Sequence, residues 1–171
     1  MIHIQAAGND SIDARYGGFF CSVTEEIYHE MDAALLEKFE NTGIQYKDIE
    51  ERILIVGAVE NTRDVNGNYV MASFTNYGST MDICAPGHII FTTMAYDDHS
   101  YGAEGGTSLS APMVTGSVAL LWALDPELTV EEIRHYLIDS SQILAIVTET
   151  SEGWACPMLN IGAAVKRLLL E

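Results

Sequence analysis

Two short segments, far apart in the chain, hold the side chains best suited to chemistry. The first is Gly105-Gly106-Thr107-Ser108-Leu109-Ser110-Ala111-Pro112. A serine placed between a Gly-rich stretch and the start of a long apolar helix can act as a nucleophile. The helix N-terminus offers unpaired N–H groups and a partial positive charge, and both stabilise an oxyanion that develops beside it. Two serines compete for the role, Ser108 and Ser110. Taken alone, a generic Gly-Thr-Ser of this kind reads better as an ordinary capped helix. The G-x-S-x-G pattern of lipases and esterases does not fit, because Ser110 stands where its second glycine belongs. The other segment is Ala6-Ala7-Gly8-Asn9. A carboxamide N–H₂ at a strand-to-turn corner can point at a carbonyl oxygen while small neighbours leave room for substrate. By itself, Asn9 reads as a turn asparagine that tolerates a left-handed conformation.

The elements that position these residues follow from hydrophobic period and turn chemistry. Residues 2–7 read as a strand ended by the turn cluster Gly8-Asn9-Asp10-Ser11. Ile27, Met31, Leu35 and Phe39 recur every fourth residue, which predicts an amphipathic helix from Thr24, its N-cap, to about Phe39. Those four side chains are expected to face inward. The continuous apolar run Ile53 to Val59 predicts a strand buried on both faces of a parallel sheet. Shorter strands are expected at Tyr69–Phe74, Met81–Cys84 and His88–Thr93. A Gly-rich loop, Gly102 to Gly106, then leads into a helix from about Ser108 to Ala123, apolar nearly all round and so expected to be buried. Pro112 is taken to lie near enough to the helix start for its missing N–H to cost little. Thr129 caps a further helix with Glu131 and Glu132 in its first turn, and Ile161–Leu170 forms the last. No repeat or linker divides the chain, so one domain or part of one is expected over 1–171.

Composition narrows the function. The net charge is −17, from 25 acidic and 8 basic residues, which repels phosphate backbones and anionic membranes and argues against nucleic-acid or membrane partners. No continuous apolar run reaches the roughly 18 residues that span a bilayer, so no transmembrane segment is expected. The N-terminus lacks the pattern of a signal peptide. Cys21, Cys84 and Cys156 form no zinc or redox motif and are expected to be buried free thiols. The adjacent Asp97 and Asp98 are expected to be solvated.

Read together, the two segments resemble the subtilisin-like serine proteases, or subtilases. Gly106-Thr107-Ser108-x-Ser110-Ala111-Pro112 is similar to that family's nucleophile signature, and Ala6-Ala7-Gly8-Asn9 to its oxyanion strand. Ile55-Val56-Gly57-Ala58-Val59, Ala72-Ser73-Phe74-Thr75-Asn76-Tyr77-Gly78 and Ala85-Pro86-Gly87 follow in the family's order. So do Pro126-x-Leu128-Thr129-x-x-x-Ile133-Arg134-x-x-Leu137 and the closing Leu159-Asn160 and Ala163-Ala164-Val165. The resemblance implies a three-layer α/β fold with a largely parallel sheet, of which this chain is the C-terminal portion. It implies Ser108 as nucleophile and the Asn9 side chain with the Ser108 N–H as oxyanion donors. Ala6, Ala7 and Gly8 become a wall of the substrate pocket, and Thr107 an adjunct of the oxyanion hole. It also implies a protein or peptide substrate, calcium as an allowed cofactor, and a secreted or cell-surface location.

Two departures stand out. The family's aspartate and histidine motifs, Asp-x-Gly and His-Gly-Thr-His, do not occur here. The catalytic base and its orienting carboxylate are therefore expected from a missing N-terminal half, and the chain alone is expected to be inactive. Residues 12–50 are longer and more acidic than the family's usual connection and read as a helical insertion. Among this chain's own histidines, His99 lies nearest the nucleophile in sequence, but it is expected to be an exposed loop residue. A peptide-binding module without catalysis is the alternative reading.

Overall fold

Seven consecutive buried residues, Ile53 to Val59, open the strand around which the rest is arranged. The computed structural model describes residues 1–14, 29–141, 144–146 and 155–171. Strand β1 (His3–Ala6) runs parallel to β2 (Ile53–Arg63), with Ala6 opposite Val56. On its other side, β2 pairs in parallel with β4 (Ile83–Pro86). The far end of β2 pairs antiparallel with β3 (Tyr69–Met71), which runs parallel to β7 (Leu144–Ile146). Strand β7 pairs antiparallel with β8 (Ala155–Pro157), and a bridge from Met158 to Cys84 returns the chain to β4. The sheet is therefore mixed, parallel where it carries the site and antiparallel towards β8. A separate hairpin pairs β5 (Ile90–Thr93) with β6 (Tyr101–Glu104).

Alternation along β2 sorts the core into two halves. Leu54 and Val56 face a cluster with Ile83, Ala85, Val114, Val118, Leu121, Ile133, Leu137 and Ala164. That cluster is formed against helices α3 (Thr107–Leu124), α4 (Val130–Asp139) and α5 (Ile161–Leu168). Ile53, Ile55 and Val59 face the opposite side, with Met71, Met81, Cys84, Cys156 and Met158. Cys84 and Cys156 are buried free thiols, as expected; Cys21 lies outside the described residues. Thr129 caps α4 in a reciprocal box with Glu132, also as expected.

Several expectations need correction. The helix expected over 24–39 has Thr24 and Ile27 outside the described residues. A distinct helix, α1 (Ala33–Glu40), begins at a new N-cap, Asp32, whose carboxylate accepts the Leu35 N–H at 2.8 Å. A short α2 (Tyr46–Glu50) follows. That local cap resets the helix start, and Leu35 is exposed rather than inward. The four-residue apolar spacing thus marks a helix but not a buried face: Leu35 is exposed, Met31 and Phe39 are only half-buried, and α1 has no buried residue. The Gly-rich stretch is partly strand: residues 101–104 pair with 90–93.

Helix α3 is buried on one side only. Val114, Val118 and Leu121 meet the sheet, whereas Gly116, Ala119, Leu120, Ala123 and Leu124 face outward. Uniform apolarity predicted burial all round, but the described residues cover only the sheet-facing side. By length and composition alone α3 is long and apolar enough to cross a bilayer, although the sequence holds no continuous apolar run of that length. Its packing against β1, β2 and β4 is that of a core helix. Pro112 is the sixth residue of α3, beyond the first turn. Its ring nitrogen therefore cannot donate to the Ser108 carbonyl, which a residue with an N–H at that position would have done.

Candidate active site

The site is built where β1 ends, β4 ends and α3 begins. Beyond β1 the chain turns through Gly8, at φ 103°. A side chain here would be strained by that backbone, and its Cβ would lie 2.4 Å from Asn76 Nδ2. Asn76 is fully buried and ties the corner together. Its Nδ2 donates to Ala7 O at 3.0 Å, and its Oδ1 accepts the Asp10 and Ile12 N–H groups at 2.9 and 3.2 Å. The Asn76 N–H donates to Gly8 O. In the sequence Asn76 is one residue of the family segment Ala72 to Gly78, and nothing local gives it a task. Its signal, a buried polar residue in a turn after a strand, is visible only once burial is known.

The start of α3 is fixed from below by β4. Ser110 is fully buried, and its hydroxyl lies 3.1 Å from both Ala85 O and Pro86 O. Gly106 N–H donates to Gly87 O at 2.8 Å. A Cβ on Gly87 would lie 2.2 Å from Ser110 Oγ and 2.6 Å from Ala58 Cβ, so only glycine lets strand and helix meet this closely. Of the two competing serines, Ser110 is thereby committed to structure. Ser108, two residues earlier, is exposed.

Gly106 caps α3 without a side chain, and a residue from the other end of the sequence serves instead. Asn9 Oδ1 accepts the Thr107 N–H at 2.9 Å and the Thr107 hydroxyl at 3.0 Å. Thr107 Oγ1 in turn accepts the Gly8 N–H at 3.2 Å. With its oxygen so occupied, Asn9 presents its Nδ2 outward as a donor. The Ser108 N–H lies in the first turn, where no helical carbonyl is available to it. Ser108 Oγ and Asn9 Nδ2 lie 3.1 and 3.4 Å from the position of a Cβ on Gly106. Their separation cannot exceed the sum of those distances, inside the roughly 8 Å that two groups serving one carbonyl require.

The remaining candidate residues divide by burial. Ala6 and Gly8 are half-buried beside the corner, whereas Ala7 is buried and its side chain joins the core. Thr107 is buried too, so it reaches the site through Asn9 rather than directly. His99 is in an exposed turn, its N–H donating to Asp97 Oδ1 at 2.8 Å. That bond and others from Ser100 lower the Asp97 pKa. No third acidic, histidine or cysteine side chain joins Asp97 and Asp98 among the described residues. His88 pairs with Glu60, and His135 with Asp139. Ser108 Oγ has no side-chain hydrogen-bond partner among the described residues. A cleft of about 820 Å³ lined by Trp122, Leu128 and Arg134 lies towards the opposite end of α3, away from this chemistry.

Residues 1–155 match the sequence profile of the Subtilase family. The chain belongs to that family. This subtilase chain is 28% identical to subtilisin DY of Bacillus licheniformis over 123 residues, covering 72% of this chain and 40% of the relative. It is 34% identical to subtilisin Savinase of Lederbergia lenta over 124 residues, covering 72% and 42%. Its backbone superposes on a protease structure from Pseudoalteromonas arctica with a TM-score of 0.64 at 22% identity, covering 98% of this chain and 42% of that one. That likeness shows a shared α/β fold. The subtilase chain spans about two fifths of the length of these relatives.

Proposed function

We propose that this chain is the nucleophile-bearing part of a serine endopeptidase. The observation that carries the reading is the meeting of Ser108 and Asn9 around Gly106, with Asn9 turned donor-outward by Thr107. In the mechanism this supports, Ser108 Oγ attacks a peptide carbonyl and forms a tetrahedral intermediate. The Asn9 Nδ2 and Ser108 N–H groups donate to its oxyanion, aided by the positive end of α3. Collapse releases the amine and leaves an acyl-enzyme, which water then hydrolyses. The proton leaving Ser108 goes to a histidine outside this chain, itself oriented by an aspartate outside this chain. Polypeptide is the substrate, approaching along Ala6 and Gly8. Family membership also supports a secreted or cell-surface parent.

The polypeptide that supplies the base would dock beside Ser108. The outward face of α3 (Gly116, Ala119, Leu120, Ala123) and the edge of β1 away from β2 are the surfaces that support this placement.

The test compares peptide hydrolysis by the purified chain, by the chain co-folded with a subtilase N-terminal segment bearing the histidine and aspartate, and by Ser108→Ala versions of both. The expected result is serine-dependent hydrolysis only in the co-folded protein, since removal of triad members leaves about 10³–10⁴ over water. Serine-dependent turnover at ordinary protease rates by the chain alone would sink the external base. Peptide binding without turnover by a folded, complete protein would favour the binding-module reading.

A further inference from the structure

We infer that Cys84 and Cys156 are a disulfide-forming pair, which crosslinks the C-terminal strand β8 to β4 when the chain folds in the presence of a low-molecular-weight disulfide. The sequence places the two residues about 70 positions apart with no motif to relate them. The fold brings them to one face of one sheet. Met158 bridges Cys84 in parallel, and the Leu159 N–H donates to Cys84 O at 2.7 Å. Cys156 precedes Met158 by two residues, so its side chain points to the same face as those of Met158 and Cys84. Both cysteines are fully buried in a single cluster with Met71, Met81 and Met158.

The surroundings also say when the bond forms. Burial first, and then the Cys156 thiol beside it, hold the Cys84 thiol well above the ordinary range. Once the core is closed, the Cys84 thiol is therefore protonated and unreactive, because the thiolate is the attacking species, and both sulfurs are shut away from small disulfides in solution. Exchange belongs to folding, before β8 seats against β4. One cysteine thiolate attacks a sulfur of the small disulfide and expels one small thiolate. The second cysteine thiolate attacks the mixed disulfide and expels the other. Two protein S–H bonds are lost, one S–S bond forms, and the small disulfide is reduced to two thiols, which take up the protons. Cys21 is left as the unpaired third cysteine. None of this depends on Ser108 or on the proposed proteolysis.

The experiment refolds the full chain from denaturant with oxidised and reduced glutathione, then alkylates it under denaturing, non-reducing conditions. The expected product carries one alkylated cysteine, Cys21, and a mapped Cys84–Cys156 peptide pair. Its Tm should exceed that of the reduced chain by roughly 5–15 °C, the size expected for closing a loop of this length. Cys21→Ser should give the same bridge with no free thiol, while Cys156→Ala should show no difference between its own oxidising and reducing conditions. Alkylation of both Cys84 and Cys156 after oxidative refolding, a bridge to Cys21 in the unaltered chain, or a lower Tm on oxidation would each overturn the inference.

Discussion

Thr107 holds Asn9 by two hydrogen bonds, from its N–H at 2.9 Å and its hydroxyl at 3.0 Å, both to Oδ1. This one relationship joins the end of β1 to the start of α3 and decides which end of the carboxamide faces outward. Removing the hydroxyl with Thr107→Val should break one of the two bonds and leave the part-buried Gly8 N–H unpaired. The expected loss is about 1–3 kcal/mol in urea unfolding, with Thr107→Ser recovering most of it. Equal stability of the valine and serine variants would mean that the hydroxyl does not hold the corner.

The two serines of the nucleophile segment should separate by stability alone. Ser110→Ala removes the hydroxyl that meets Ala85 O and Pro86 O inside the core and should cost about 1–2 kcal/mol. Ser108→Ala changes an exposed group without side-chain partners among the described residues and should stay within about 0.5 kcal/mol. Chemical denaturation of both variants checks this without any activity.

In a co-folded, active protein Asn9→Ala should lower kcat by about 10²–10³ and change KM little, because in the proposed mechanism the carboxamide donates to the developing oxyanion. That magnitude is the one established for this enzyme family. A loss confined to KM would show that Asn9 only shapes the pocket.

Asp82 should give the stability curve a distinctive slope. Its carboxylate accepts the Ile55 N–H at 2.8 Å and pairs with Arg134 at 2.5 Å. Burial nevertheless outweighs both and raises its pKa above the ordinary aspartate value. The folded chain then holds this proton more tightly than the unfolded chain. Its contribution is full below about pH 3.9 and is lost as pH rises through the folded value. Glu132 and Glu171 have lowered pKa values and act in the opposite direction. The unfolding free energy of the native chain minus that of Asp82→Asn should therefore fall with pH across this window. A difference that rises with pH would mean that Arg134, not burial, governs the group.

Sequence alone determined the elements whose signals are local. The run Ile53 to Val59, short and rich in β-branched residues, read as a strand covered on both sides, because seven consecutive apolar residues leave no polar face for water. Thr129 with Glu132 fixed the start of α4 through bonds that span three residues. The nucleophile signature and the oxyanion strand were legible as family motifs, and the family is the one to which the chain belongs. Tertiary structure decided what depends on long-range partners. The local cap at Asp32 sets where α1 begins, and Leu35 stays in solvent despite its helical period. The outward face of α3 has the same apolar character as its buried face, so composition could not tell one from the other. Neither the approach of Ser108 to Asn9 nor the burial of Asn76 and Ser110 is written in any local pattern. Each exists because parallel pairing of β1 and β4 with β2 carries the C-terminal ends of both strands to the same end of the sheet, where α3 begins.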